Sequence, residues 1–266
     1  MIPGEANKGP AGRQRRQIER EFGVPVPGEI LGQEQWTQTA LKKLPPAGPL
    51  NFVEIFGRDA PIMLDIGCGN GRSTLASAVW RPGVDHFSSD VLPVVIRYAT
   101  RRANQRGLTN VRFAVIGGRE LLADFIPPKS MAEIHVYHPQ PYYEPDQVPR
   151  RLITPEFIGL VHRSLQPGGL FVLQTDNPGY WKYMQQIVPM FFDWTVHADR
   201  WPDAPKGRTR REIIALRQSL PVFRGTGRPR ADVTPDDALR LASSLPPPTF
   251  DADRKLRELD RLERES

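Results

Sequence analysis

The sequence predicts an α/β protein whose core is a doubly wound, mostly parallel, seven-stranded sheet with an antiparallel edge. Three observations carry this. Residues 61–71 pass from a short apolar run into three alternating glycines, Gly67, Gly69 and Gly71, and then into the amphipathic stretch 73–80. Between Ile62 and Thr175, apolar runs and amphipathic stretches alternate, the pattern of a parallel sheet with helices on both faces. After Asp176 the segments 191–197 and 210–216 read as antiparallel edge strands.

Residues 51–57 make a short lead-in helix, and Ile62 to Ile66 is the first strand, apolar enough to be buried on both faces. A second strand ends at residues 85–90. The helix over 91–106 turns Val95, Ile96 and Ala99 inward and Arg97, Arg101 and Arg102 outward. Residues 111–116 form a third strand and 134–137 a fourth. Thr154 followed by Pro155 starts a helix reaching Leu165, an N-cap with proline in the first turn. The turn 166–169 leads to a fifth strand, 170–175, and an aromatic helix follows with Tyr180, Trp181 and Tyr183. Ligands of such sheets sit beyond the carboxyl ends of the strands.

The 266 residues suffice for one substantial core. A hydrophobic fraction of 39% and mean hydropathy of −0.44 fit a soluble globule with polar extensions. One cysteine, Cys68, excludes an intramolecular disulfide and suits a reducing compartment. No segment approaches the ~18 apolar residues of a membrane span, and no signal-peptide core precedes the first charges. A cytoplasmic protein without a membrane partner is expected. Net charge +6 and pI 9.7 lean towards an anionic partner, most commonly nucleic acid. His86, His138, His162 and His197 lack metal-ligand spacing and read as packing or loop residues, so no metal is expected.

Three domains are expected. Residues 1–48 form a basic, partly disordered arm with Arg13, Arg15, Arg16 and Arg20, and a helix is possible over 14–22. Residues 49–222 form the α/β domain. Residues 223–266 form a charged extension that begins as a basic linker at 223–230 and ends in a solvated helix, with docking as the alternative.

The glycine bend frees backbone N–H groups at a helix N-terminus, where an anionic group is favoured. Asp65, just before it, would repel a pyrophosphate, and the spacing is G-x-G-x-G instead of G-x-G-x-x-G. A ligand carrying both ammonium and carboxylate, such as the methionine end of S-adenosylmethionine, suits both features. A glycine-rich turn without ligand is the alternative. Asp90, 25 residues on, stands where an acid accepts ribose hydroxyls, or it caps the next helix.

Residues 65–71 resemble class I methyltransferases. Residues 108–113, 134–142, 150–157, 165–169, 175–176 and 209–212 follow the motif order of the tRNA (guanine-N7)-methyltransferases, a resemblance that covers about residues 52–216. It implies a Rossmann-like fold, S-adenosylmethionine as cofactor and tRNA as partner. Asp65 and the three glycines would hold the cofactor methionine, Asp90 the ribose, and Gly117 or Gly118 the adenine edge. Asp176 would contact the guanine, and Thr209 and Glu212 of the T-x-x-E motif, with Arg210 and Arg211 between them, would line the same pocket.

The chain departs from the family in two places: after the third strand the acid that usually touches the adenine is absent, with Gly117 or Gly118 in its place and Glu120 one turn on, and the signature loop is altered. Where the signature reads F-P-D-P-W-x-K, this sequence has His138 to Glu144, with Gln140 for the aspartate and Glu144 for the lysine; only Arg150 and Arg151 survive of the following basic run. Gln140 keeps an acceptor oxygen without its charge, a change of about tenfold or more in guanine binding. Glu144 would repel phosphate. The N-terminal arm, Arg97 and Arg101, residues 206–211 and residues 224–230 offer compensating cations. Three readings follow: a tRNA guanine-N7 methyltransferase with Gln140 and Asp176 at the base, a methyltransferase acting on another substrate, or a non-catalytic relative that binds RNA or the cofactor. A monomer or weak homodimer is expected.

Overall fold

The computed structural model describes residues 18–46, 48–250, 256–258 and 260–261. In chain order the elements are β1 (Arg20–Glu21), β2 (Val24–Pro25), α1 (Phe52–Phe56), β3 (Ile62–Ile66), α2 (Arg72–Trp80), β4 (Asp85–Asp90), α3 (Pro93–Asn104), β5 (Val111–Val115) and α4 (Gly118–Glu120). They continue with β6 (Met131–Tyr137), α5 (Pro155–Ser164), β7 (Leu165–Thr175), α6 (Pro178–Ile187), β8 (Phe192–His197), α7 (Arg210–Arg217), β9 (Phe223–Pro229) and α8 (Pro235–Ser244). No helix among the described residues is long and apolar enough to cross a membrane.

Seven strands form one sheet in the order β5-β4-β3-β6-β7-β9-β8. The strands from β5 to β7 pair in parallel, and β9 pairs antiparallel with both β7 and β8. Chain direction reverses its march across the sheet between β3 and β6, which makes their carboxyl ends the switch point where ligands of such sheets bind. One face carries the main core, with Leu64, Ile66, Ile134, Phe171 and Leu173 against α1, α5 and α6. The other packs Leu75, Ala78, Ile96, Ala99 and Phe113 between α2, α3 and β5.

The expected strand at 210–216 is instead the helix α7. Thr209 accepts the Glu212 amide and starts a helical turn, after which Ile213 and Ala215 face inward. The seventh strand comes from the segment expected as a basic linker. In β9, Gly225 and Gly227 lack side chains because rings from β8 occupy that space: a Cβ on Gly227 would lie 2.8 Å from the Phe192 Cβ, and Trp194 lies over Gly225. Glycine in a strand interior often marks such a close approach. The extension from residue 223 therefore begins inside the sheet, and α8 packs on α5, where the Ala238 carbonyl would lie 3.2 Å from a Cβ on Gly159.

The arm also departs from expectation. Residues 18–28 lie on the domain as a hairpin, not a helix, and Val26 is buried in the second core. Arg13, Arg15 and Arg16, and residues 14–17 of the helix expected over 14–22, fall outside the described residues. Arg102, expected outward, is 2% exposed, because acids of the hairpin cover it. At the other end Leu256 is buried, so the described part of the terminal helix is docked.

Candidate active site

The bend leaves β3 with Gly67 and Cys68 donating to the Ser89 carbonyl at 2.8 and 3.0 Å. Gly67, Gly69 and Gly71 have φ of +74°, +52° and +75°, the left-handed region that glycine enters without penalty. A Cβ at Gly67 or Gly69 would meet nothing within 4 Å, so the bend is open towards the strand ends. At Gly71 it would lie 2.8 Å from the Ala99 Cβ, so this glycine lets α3 pack against the bend.

Asp65 sits behind the bend and is 1% exposed. Its Oδ2 accepts from the Thr74 hydroxyl at 2.7 Å, while Oδ1 is buried with no partner. Burial chiefly, and the nearby Asp90 charge, push its carboxyl up to about 7 despite the Thr74 bond. A buried carboxylate oxygen lacking a donor fits the ammonium of an amino-acid moiety. Asp90, at the end of β4, accepts from the Gly69 and Leu92 amides, each at 3.0 Å. Each of its oxygens keeps a second lone pair for a hydroxyl.

Gly117 and Gly118 separate in role. Gly117 has only Val91 nearby, 3.8 Å from where a Cβ would lie, and stays open beside the end of β4. Gly118 is closed by Ile66 and Leu152, which makes it a packing glycine.

The substrate side is built around Asp176 at the end of β7. Arg211 Nε donates to Oδ2 at 2.6 Å, and His138 Nδ1 lies 3.2 Å from Oδ1. Burial alone would raise the Asp176 carboxyl, but His138 and Arg211 hold it well below the usual carboxylate range. With Nδ1 donating to Asp176, His138 Nε2 accepts from the Gln174 amide at 2.8 Å, and Gln174 Oε1 accepts from the Trp201 indole at 2.5 Å. Arg211 also pairs with Asp260 at 2.7 Å, which brings the C-terminal segment over this side. His138, taken from sequence as a loop residue, is thus part of the cluster; its place at the head of the signature loop, directly before Pro139, is the signal that marked it.

Several other residues expected at the substrate have partners within the fold. Glu212 is fully buried; one oxygen pairs with Arg224 at 2.5 Å and the other accepts the Arg208 amide at 2.8 Å. The T-x-x-E motif is therefore a helix start tied to β9, with Thr209 as its cap. Arg151 is 5% exposed, donates to the carbonyls of Pro141, Tyr142 and Pro248, and lies 3.7 Å over the Phe250 ring. It holds the signature loop's shape. Gln140 and Arg150 are exposed, and Arg210 lies 5.6 Å from the Phe22 ring. Glu144 pairs with Arg257, so a cation from the tail stands where the loop lost one.

A cavity of about 730 Å³ opens on the sheet face beside α2, walled by Trp80, Leu170, Val172 and Trp201. Along its floor, alternate residues of β6 form the chain Glu133–His135–Tyr137 at 2.8 and 3.0 Å, closed by Arg81 and Arg208. Gly67, Gly69, Asp90 and Gly117 do not line it. Among the described residues no group of three or more His, Cys, Asp or Glu is placed to hold a metal ion.

The switch-point bend, the acid behind it, the acid at the next strand end and the reversed seventh strand define a class I methyltransferase fold. The solved structure of the 16S rRNA methyltransferase KamB has that fold, with TM-score 0.53 at 14% identity over 72% of this chain and 98% of its own. A family model described as putative methyltransferase matches residues 59–222. The tRNA (guanine-N(7)-)-methyltransferase of Methylococcus capsulatus is 32% identical over 182 residues, covering 68% of this chain and 78% of that one. That of Saccharophagus degradans is 32% identical over 141 residues, covering 53% and 62%. That of Alcanivorax borkumensis is 34% identical over 141 residues, covering 53% and 59%. The chain thus spans about three-fifths of the length of the latter two. It belongs to this methyltransferase family, and the relatives it matches are tRNA (guanine-N(7)-)-methyltransferases.

Proposed function

We propose that the protein transfers a methyl group from S-adenosylmethionine to N7 of a guanine in tRNA, as a cytoplasmic enzyme. The observation that carries the reading is the pairing of an open glycine bend with the unpartnered Oδ1 of Asp65 behind it. Asp65 would hold the cofactor's amino group, the bend its carboxylate, Asp90 its ribose and Gly117 the edge of its adenine. When bound, the cofactor supplies an electrophilic methyl on a sulfonium. Guanine N7 already presents an unprotonated lone pair, so no strong general base is needed, and catalysis reduces to alignment and exclusion of water.

Asp176 is the acceptor suited to the guanine N1–H and amino group, and Arg211 and His138 keep it ionised. Gln140, exposed at the mouth, offers a neutral acceptor in place of a charged one. Arg150 and Arg210 are suited to phosphate contacts. The replacement of the loop's aspartate and lysine by Gln140 and Glu144 favours a second reading, in which the same pocket serves a substrate other than tRNA guanine.

The test is transfer of labelled methyl to unmodified tRNA, followed by mapping of the modified nucleoside. Label in 7-methylguanosine is expected. Cofactor binding without that product would leave the second reading standing.

A further inference from the structure

Glu21, in the N-terminal hairpin, stands in a buried ion cluster whose members lie up to 87 residues apart in sequence. Its Oε1 accepts from Asn70 Nδ2 at 2.5 Å and lies 3.2 Å from Arg102 NH1, while Oε2 lies 3.1 Å from Arg72 NH1. Arg102 donates to the Asn70 carbonyl at 2.9 Å, and Arg72 donates to the Pro25 carbonyl at 2.7 Å. Glu19 completes the cluster with Arg102 and Arg106 at 3.1 and 2.8 Å. Asn70 and Arg72, in the far half of the glycine bend, are therefore held by Glu21, which arrives from outside the α/β core.

The hairpin's tip reaches the opposite side of the mouth. Phe22, at φ +45°, has the guanidinium carbons of both Arg210 and Arg217 5.6 Å from its ring centroid. Both arginines belong to α7, the helix that also carries Arg211 to Asp176. A strap that merely closed the core would need only apolar anchors such as Val26. Burying two acids among three arginines is costly unless the pairing fixes geometry that apolar packing would leave loose.

We infer that Glu21 is a positioning residue for the cofactor: it fixes Asn70 and Arg72, and through them the conformation of the bend. This rests on the cofactor reading above. A loosened bend would have to be ordered by the cofactor on binding, which weakens affinity without altering the reacting atoms. Glu21→Gln keeps the size and one acceptor but removes the charge that Arg72 and Arg102 face.

The experiment compares wild type and Glu21→Gln by calorimetry with S-adenosylhomocysteine and by steady-state methyl transfer. Loss of charge-assisted hydrogen bonds predicts a dissociation constant and cofactor KM raised about tenfold or more, with kcat at saturating cofactor within about twofold of wild type. Glu21→Asp, which keeps the charge, is expected to recover part of the affinity. An unchanged dissociation constant in a folded Glu21→Gln protein overturns the inference, whatever its melting temperature. Should Glu21→Gln fail to fold, Asn70→Ala removes the bend's side of the contact: weakened binding supports the inference and unchanged binding overturns it. Wild-type protein with no affinity for the probe would instead refute the cofactor reading, a result the same titration separates.

Discussion

The Glu212–Arg224 pair decides whether the T-x-x-E motif serves the fold or the substrate. Its side chains are 0% and 3% exposed, and it ties the first turn of α7 to β9, the strand between β7 and β8. Glu212→Gln keeps an acceptor for the Arg208 amide but leaves the Arg224 guanidinium buried without its counter-charge. Breaking a buried pair from one side costs about 3–5 kcal/mol, and the retained amide oxygen places this change near about 3. For a chain of this size, about 2–4 °C of melting temperature per kcal/mol gives a fall of roughly 6–12 °C. Circular dichroism melts of Glu212→Gln, Arg224→Met and a Glu212→Met/Arg224→Met double variant measure it. The double variant is expected to regain most of the loss, because an apolar pair leaves no stranded charge. A Glu212→Gln melt within about 1 °C of wild type, with tRNA affinity lost, would refute the structural role and return Glu212 to the substrate.

Asp65 gives a pH prediction with two signs. Its carboxyl, pushed up to about 7, binds its proton more tightly folded than unfolded, so its contribution to apo stability is complete below about 4 and is lost as pH rises through about 7. Affinity for the ammonium-bearing cofactor product runs the other way, rising about tenfold from pH 6 to pH 8 as the carboxylate ionises; Asp65→Asn should flatten both profiles, and a flat wild-type titration would count against Asp65 as the ligand group. Gly71→Ala must fit a Cβ 2.8 Å from Ala99 at φ +75° and should cost about 1–3 kcal/mol, whereas Gly83→Ala, with open space around it, should melt like wild type. Glu144→Lys with Gln140→Asp restores the family's charges and should raise tRNA affinity and steepen its salt dependence by about one unit. An unchanged slope would place the loop away from the RNA backbone.

What the sequence disclosed depended on how local the signal was. The bend was readable because strand, glycines and helix are contiguous, and Asp65 and Asp90 were fixed by their distance from it. The edge of the sheet was not. The stretch 209–216 mixes arginines with adjacent isoleucines, and a strand or a helix can bury Ile213; the Thr209 cap decides, and it was visible only as a motif. The residues 223–230 have the composition of a linker, and only Phe192 and Trp194 on a neighbouring strand explain the glycines. Arg102 looked solvent-facing because its partner Glu19 lies 83 residues earlier. His138, Arg211 and Asp176 converge from three elements, so their cluster exists only in the fold.

The glycine bend is proposed to seat a cofactor whose amino group answers the unpartnered oxygen of Asp65. A crystal structure with S-adenosylhomocysteine tests it most directly. The amino group is expected on the Asp65 side of the bend, with both ribose hydroxyls on Asp90 and the adenine beside Gly117. Density for the molecule in the cavity floored by His135 and Tyr137, or a bend left empty at saturating ligand, would contradict it.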